Sequence, residues 1–80
     1  MKEVRVISAV NCANCEALFQ LVKDAVKNFG LDAKVEKVVD FKEVAKCGVL
    51  TTPILVVDGK VKHAGKPLPT LDQLKELIEG

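Results

Sequence analysis

Residues 51–64 read Thr51-Thr52-Pro53-Ile54-Leu55-Val56-Val57-Asp58-Gly59-Lys60-Val61-Lys62-His63-Ala64. Ile54 to Val57 is an unbroken apolar run, the pattern of a strand covered on both faces. Pro53 stands at its first position, where a missing N–H need not break the ladder. Asp58-Gly59 is a two-residue hairpin signal, because both central positions of a type I′ turn require positive φ. Lys60 to Ala64 is then the return strand, and its lysines suit the edge of a sheet. An antiparallel pair, one strand interior and one at the edge, closes one side of the fold.

Upstream of this pair, Asp40 can cap a short helix, with Glu43 three residues on and Phe41, Val44 and Ala45 as its buried stripe. Gly48 ends it. Leu31 to Lys37 alternates apolar and charged residues, as a strand with one wet face does. Further back, Cys15, Leu18, Phe19, Val22, Val26 and Phe29 recur at helical spacing, and Gly30 follows at the left-handed closing position. Val4-Arg5-Val6-Ile7 reads as the first strand. Downstream, Gly65 to Pro69 is a loop, and Thr70-Leu71-Asp72-Gln73 is a capping box that opens a last helix with Leu71, Leu74, Leu77 and Ile78 inward. The order is β-α-β-α-β-β-α: an α/β fold with a four-stranded mixed sheet flanked by three helices. Strands separated by helices are expected to pair in parallel through crossovers, leaving only the hairpin pair antiparallel.

Eighty residues, 49% hydrophobic and 29% charged, are expected to form one domain over residues 1–80, near the lower limit of what folds on a core alone. A charge of 12 − 11 = +1 supplies no field to attract nucleic acid or an anionic membrane. The lack of Trp and Tyr removes the stacking platform that single-stranded nucleic acid needs. No apolar run approaches the ~20 residues of a membrane span. Lys2, Glu3 and Arg5 interrupt any signal-peptide core, so the expected location is the cytoplasm. The lysine-protected edge strand makes a monomer the simplest expectation.

The three cysteines divide into a pair and a single. Cys12-Ala13-Asn14-Cys15, preceded by Asn11, falls between the first strand and the first helix. Unpaired N–H groups and the dipole at a helix start favour negative charge, so the Cys12 thiolate is stabilised there. Cys15 lies one turn further in, within disulfide reach and on the buried side. An outer attacking thiol and an inner resolving thiol are what thiol–disulfide exchange through a mixed disulfide on Cys12 requires.

The C-x-x-C after the first strand, the Thr52-Pro53 step before a D-G hairpin and the closing helix together resemble the thioredoxin fold. More narrowly, the chain resembles the small, glutaredoxin-sized redox-active disulfide proteins of archaea and bacteria. The runs Gly48-Val49-Leu50-Thr51-Thr52-Pro53 and Val56 to Lys62, with Gly65, carry that likeness over essentially the whole chain. The resemblance implies Cys12 as nucleophile, Cys15 as resolving cysteine and Pro53 as a cis-proline facing them. It implies that the backbone of Thr52 pairs with a bound substrate chain. It also implies protein disulfides as substrates, a thioredoxin-reductase-like partner or a low-molecular-weight thiol as electron source, and no tightly bound cofactor. Where many thioredoxins carry a buried acid on the strand into the site, this chain has Val6, so proton removal from Cys15 falls to water or another group.

Two other chemistries compete for the pair. A closed zinc site needs four ligands, and only Cys47 and His63 could join the pair, at spacings that match no zinc ribbon. Two thiolates also suit Cu(I) in a soft-metal carrier. Carriers that resemble this arrangement have Met shortly before the pair and end in a strand, whereas this chain has Val10-Asn11 and ends in a capped helix. An interaction module without catalysis is the third reading. Cys47 reads as a small apolar residue near a helix end and His63 as an edge-strand surface residue.

Overall fold

The Asp58-Gly59 turn forms with φ of 50° and 82°, the two left-handed residues that a type I′ hairpin demands. It joins β3 (Ile54–Val57) to β4 (Lys60–Ala64), and it is anchored to the first strand, because Asp58 accepts the Glu3 N–H through Oδ1 and donates its own to the Glu3 carbonyl, both at 2.8 Å. The structure is a computed structural model and describes residues 2–10, 12–48, 51–65 and 68–79. The other elements are β1 (Lys2–Ser8), α1 (Ala13–Phe29), β2 (Ala33–Val39), α2 (Phe41–Cys47) and α3 (Leu71–Glu79). Val49 and Leu50, and Lys66 and Pro67 in the expected loop, lie outside the described residues.

The sheet order is β2-β1-β3-β4. β3 is interior, with all four residues buried, and β4 is an edge. β1 and β2 pair in parallel, as expected. β1 and β3 pair antiparallel, which corrects the expectation that every helix-separated strand would pair in parallel. The reason is length. α2 has seven residues, about 10 Å of helix, against about 23 Å for a seven-residue strand. It cannot carry the chain to the far end of the sheet, so β3 starts at the end where β2 finished and runs back.

The main core lies between the sheet and the α1/α3 pair: Val4, Val6, Leu55 and Val57 meet Leu18, Val22, Ala25, Leu74 and Ile78. Each such large aliphatic side chain contributes about 1.5–3 kcal/mol on burial. The opposite face is thinner, with Ile7, Ile54 and Val56 covered by Val44. Phe41, expected in the buried stripe of α2, is instead 71% exposed; Ala45 is also exposed. So short a helix touches the sheet along one line, and that line runs from Val44 to Cys47. The helix ends follow their local signals. Gly30 and Gly48 close α1 and α2 in the left-handed conformation. Thr70 and Gln73 form the reciprocal capping box at α3. Lys2 Nζ donates to the Ile78 and Glu79 carbonyls at the other end of α3, where the dipole favours a cation.

Candidate active site

β1 stops at Ser8 and α1 begins at Ala13, so the two cysteines straddle a strand-to-helix turn. Cys12 is the N-cap of α1. Its backbone is extended at φ −141° and ψ 162°, and its Sγ accepts the Cys15 N–H at 3.2 Å. Its carbonyl already accepts the Glu16 N–H, so the residue is half in the helix, as a cap should be. Cys12 and Cys15 are joined in a disulfide with Cα atoms 5.2 Å apart. The asymmetry expected of the pair is present: Cys12 is half-buried and Cys15 is fully buried. Between them Ala13 is exposed and Asn14 half-buried. Asn11 lies outside the described residues.

The Thr52–Pro53 peptide bond is cis. Pro53 is fully buried, and Thr52 is half-buried beside it. Because Ile7 pairs with Ile54, the end of β1 and the start of β3 lie side by side, and Pro53 shares one end of the sheet with the cysteine turn. The Pro53 carbonyl accepts the Gly65 N–H at 2.9 Å. Gly65 has φ of 75°, and a Cβ there would come within 3.1 Å of Thr51 Cβ. Glycine is therefore what allows the end of β4 to hold the proline segment so closely. In the sequence Gly65 reads as the first residue of a loop and as part of the family resemblance; its local signal is a lone glycine directly after a strand.

Charge and apolar surface complete this end of the molecule. Glu16, in the first turn of α1, is ion-paired with Lys37 of β2. The hydrogen bond from Lys37 is the main cause that holds the Glu16 carboxyl below its usual range. The Asp40 N–H donates to the Ser8 carbonyl at 2.9 Å, which brings the start of α2 to the same end as the cysteines. Val10, Val39 and Phe41 are 67%, 47% and 71% exposed there, apolar side chains at this end of the molecule, of which Phe41 reads as core in the sequence.

Cys47 is free and half-buried at the end of α2. It packs against the Ile7–Val44–Ile54–Val56 cluster, in keeping with its reading as a small apolar residue. It also lines a cavity of about 410 Å³ with Arg5, Glu43, Lys46 and Val61. His63 lies on the edge strand, half-buried, with Nε2 3.2 Å from the Gly65 carbonyl. Among the described residues, no group of three or more His, Cys, Asp or Glu side chains is arranged to hold a metal ion, and no helix is long and apolar enough to cross a membrane.

Residues 2–79 match the family described as thioredoxin domain. The chain belongs to the thioredoxin family. A thioredoxin of Methanothermobacter thermautotrophicus is 32% identical over 72 residues, covering 90% of this chain and 92% of that protein. A thioredoxin of Methanocaldococcus jannaschii is 34% identical over 73 residues, covering 91% and 83%. A solved structure described as that of a malarial protein superposes with a TM-score of 0.66 at 18% identity, covering 99% of this chain and 94% of that one. That likeness bears on the fold alone. With a thioredoxin fold and the Cys12–Cys15 pair at its helix start, the protein is a thiol–disulfide oxidoreductase. Soft-metal carriage is not favoured.

Proposed function

We propose that Cys12 is the attacking thiol and Cys15 the resolving thiol in the reduction of protein disulfides. The observation that carries this is the unequal burial of the two cysteines at one helix start. In the reduced protein the Cys12 thiolate attacks one sulfur of a substrate disulfide. A mixed disulfide forms on Cys12 and a substrate thiolate leaves. The Cys15 thiolate then attacks Cys12 Sγ, closes the Cys12–Cys15 bond and expels the second substrate thiolate. Two electrons pass to the substrate, whose two thiolates are protonated from water. A thioredoxin-reductase-like partner or a low-molecular-weight thiol returns the electrons.

In this reading Thr52 and the buried cis-Pro53 form one wall of the substrate groove, and the Thr52 backbone pairs with an extended segment of the substrate. Ala13 and Asn14 set the spacing of the pair, and Asn11 leads into it. The apolar margin of Val10, Val39 and Phe41 receives side chains around the substrate disulfide. The chain works as a single domain over residues 1–80, as a monomer, in the reducing setting of the cytoplasm, where a dithiol pair serves catalysis rather than structure.

The test is a trapping experiment with a disulfide-bonded protein such as insulin. Cys15→Ser should accumulate a mixed disulfide through Cys12 that mass mapping identifies, and Cys12→Ser should accumulate none. Equal trapping by both variants, or trapping through Cys15 alone, would reverse the assignment.

A further inference from the structure

Opening the disulfide creates a demand at Cys15 that the thioredoxin site must meet. The Cys15 sulfur is fully buried, and burial away from charge favours the neutral thiol over the thiolate that has to attack. Val4 and Val6 of β1 pack against Leu18, Val22 and Ala25 of α1. Side chains alternate along a strand, so the next residue on that face is Ser8. No acid precedes it there.

Ser8 is 1% exposed, and its Oγ has no hydrogen-bond partner among the described residues. An orphaned hydroxyl in a core is costly and calls for an explanation. Its place in the fold supplies one. β1 and α1 run in opposite directions. From Val4 to Ser8 the strand advances about 13 Å, while from Ala25 back to Cys15 the helix covers about 15 Å. Ser8 and Cys15 are therefore the last buried side chains of their elements before the turn that joins them. Ser8 also stands one step beyond the Ile7–Ile54 pair, on the side of the cis-proline.

We propose that Ser8 is a positioning residue for the resolving cysteine: when the disulfide is reduced, its O–H donates a hydrogen bond to the Cys15 sulfur and stabilises the attacking thiolate. The proposal rests on the roles given above to Cys12 and Cys15. Ser8 keeps its own proton throughout; the proton that Cys15 loses passes to water. In the oxidised form the Ser8 Oγ makes no hydrogen bond to any described acceptor, the Cys15 sulfur included; a thiolate is a much stronger acceptor than a disulfide sulfur, and on reduction the hydroxyl turns to it. The same atom thus biases the couple toward the reduced state. Removing it withdraws a bond from the reduced form and relieves the oxidised form, and both changes make the potential more negative.

The experiment compares wild type, Ser8→Ala and Ser8→Thr, which keeps the hydroxyl. The disulfide is equilibrated in glutathione buffers, and in a Cys12→Ser background the alkylation of Cys15 is followed against pH by peptide mapping. Ser8→Ala is expected to shift the exchange equilibrium about threefold to tenfold toward the disulfide, about 14–30 mV for two electrons. It should also raise the pH at which Cys15 becomes reactive and slow the decay of the mixed disulfide by a similar factor. Ser8→Thr should return all three toward wild type. Alanine leaves the Cys15 pH profile and the potential unmoved if Ser8 is only structural, and that result overturns the proposal. The alkylation profile reads Cys15 whether or not a substrate is trapped, so the proposal can fail while the assignment of roles stands, and the reverse.

Discussion

At the start of α1 the Cys12 backbone is extended, at φ −141°, and its sulfur accepts the N–H of Cys15 at 3.2 Å. At the start of α2 Asp40 is extended in the same way, at φ −154°, and its carboxylate accepts the N–H of Lys42 at 2.9 Å. Both helices end on a left-handed glycine. The backbone slot is the same, and only the atom that fills it differs. An oxygen anion complements the helix dipole permanently, worth about 0.3–1 kcal/mol near a surface. A disulfide sulfur complements it poorly, and a thiolate in that slot complements it in full. The start of α2 therefore serves stability in both redox states, whereas the start of α1, capped by a disulfide sulfur when oxidised, is complemented most fully when the thiol is reduced and ionised.

Cys12→Ser separates the two helix starts most sharply. Serine is a preferred capping residue, so the reduced variant should keep the stability of the reduced wild type to within about 1 kcal/mol. Disulfide reduction should fall about a thousandfold or more, the scale on which loss of a nucleophile acts. Denaturant midpoints and an insulin-reduction assay measure the two. If the variant lost its fold as well as its activity, the start of α1 would be structural in the way that of α2 is.

The complementary change is Asp40→Ala. It should cost about 1 kcal/mol of stability, within the ~0.5–2 kcal/mol range of lost caps, and leave reduction of insulin at the wild-type rate. The backbone bond from Asp40 to the Ser8 carbonyl does not depend on the side chain. A fall in rate at unchanged stability would instead make the start of α2 part of the site.

Both caps are legible in the sequence, because Asp40 and the C-x-x-C each stand directly before a helical pattern. So are the Asp58-Gly59 hairpin and the edge position of Lys60 to Ala64, for which local chemistry alone suffices. The antiparallel pairing of β1 with β3 is not, since alternation identifies strands without saying which end of the sheet each begins at. The shortness of α2 between Asp40 and Gly48 is the clue that the sequence does hold. Phe41 misleads for a related reason: apolar spacing on so short a helix does not say which line of it meets the sheet. Ser8 escapes notice for another reason. A serine between a strand and a loop reads as a surface residue, and only its burial, with its oxygen left unpartnered among the described residues, marks it.

The smallest expected effect lies one residue beyond Cys15. Glu16 adds a negative charge to the first turn of α1, favourable to the helix dipole but repulsive to a thiolate on Cys12. The ion pair with Lys37 offsets that repulsion and keeps this helix start open to an anion. It also makes a pH signature. Lys37, through its hydrogen bond and then its charge, holds the Glu16 carboxyl below its ordinary value of 4.5. A carboxyl lowered in the folded state contributes stability above the unfolded value and loses it as pH falls through the folded one. Stability followed from about pH 5 down to about pH 3 should therefore drop more steeply in wild type than in Glu16→Gln. The difference should shrink in molar salt, because the pair is exposed and screened. Equal slopes in the two proteins would mean that Lys37 does not hold Glu16 in solution, and the cationic balance at the start of α1 would then rest on the helix dipole alone.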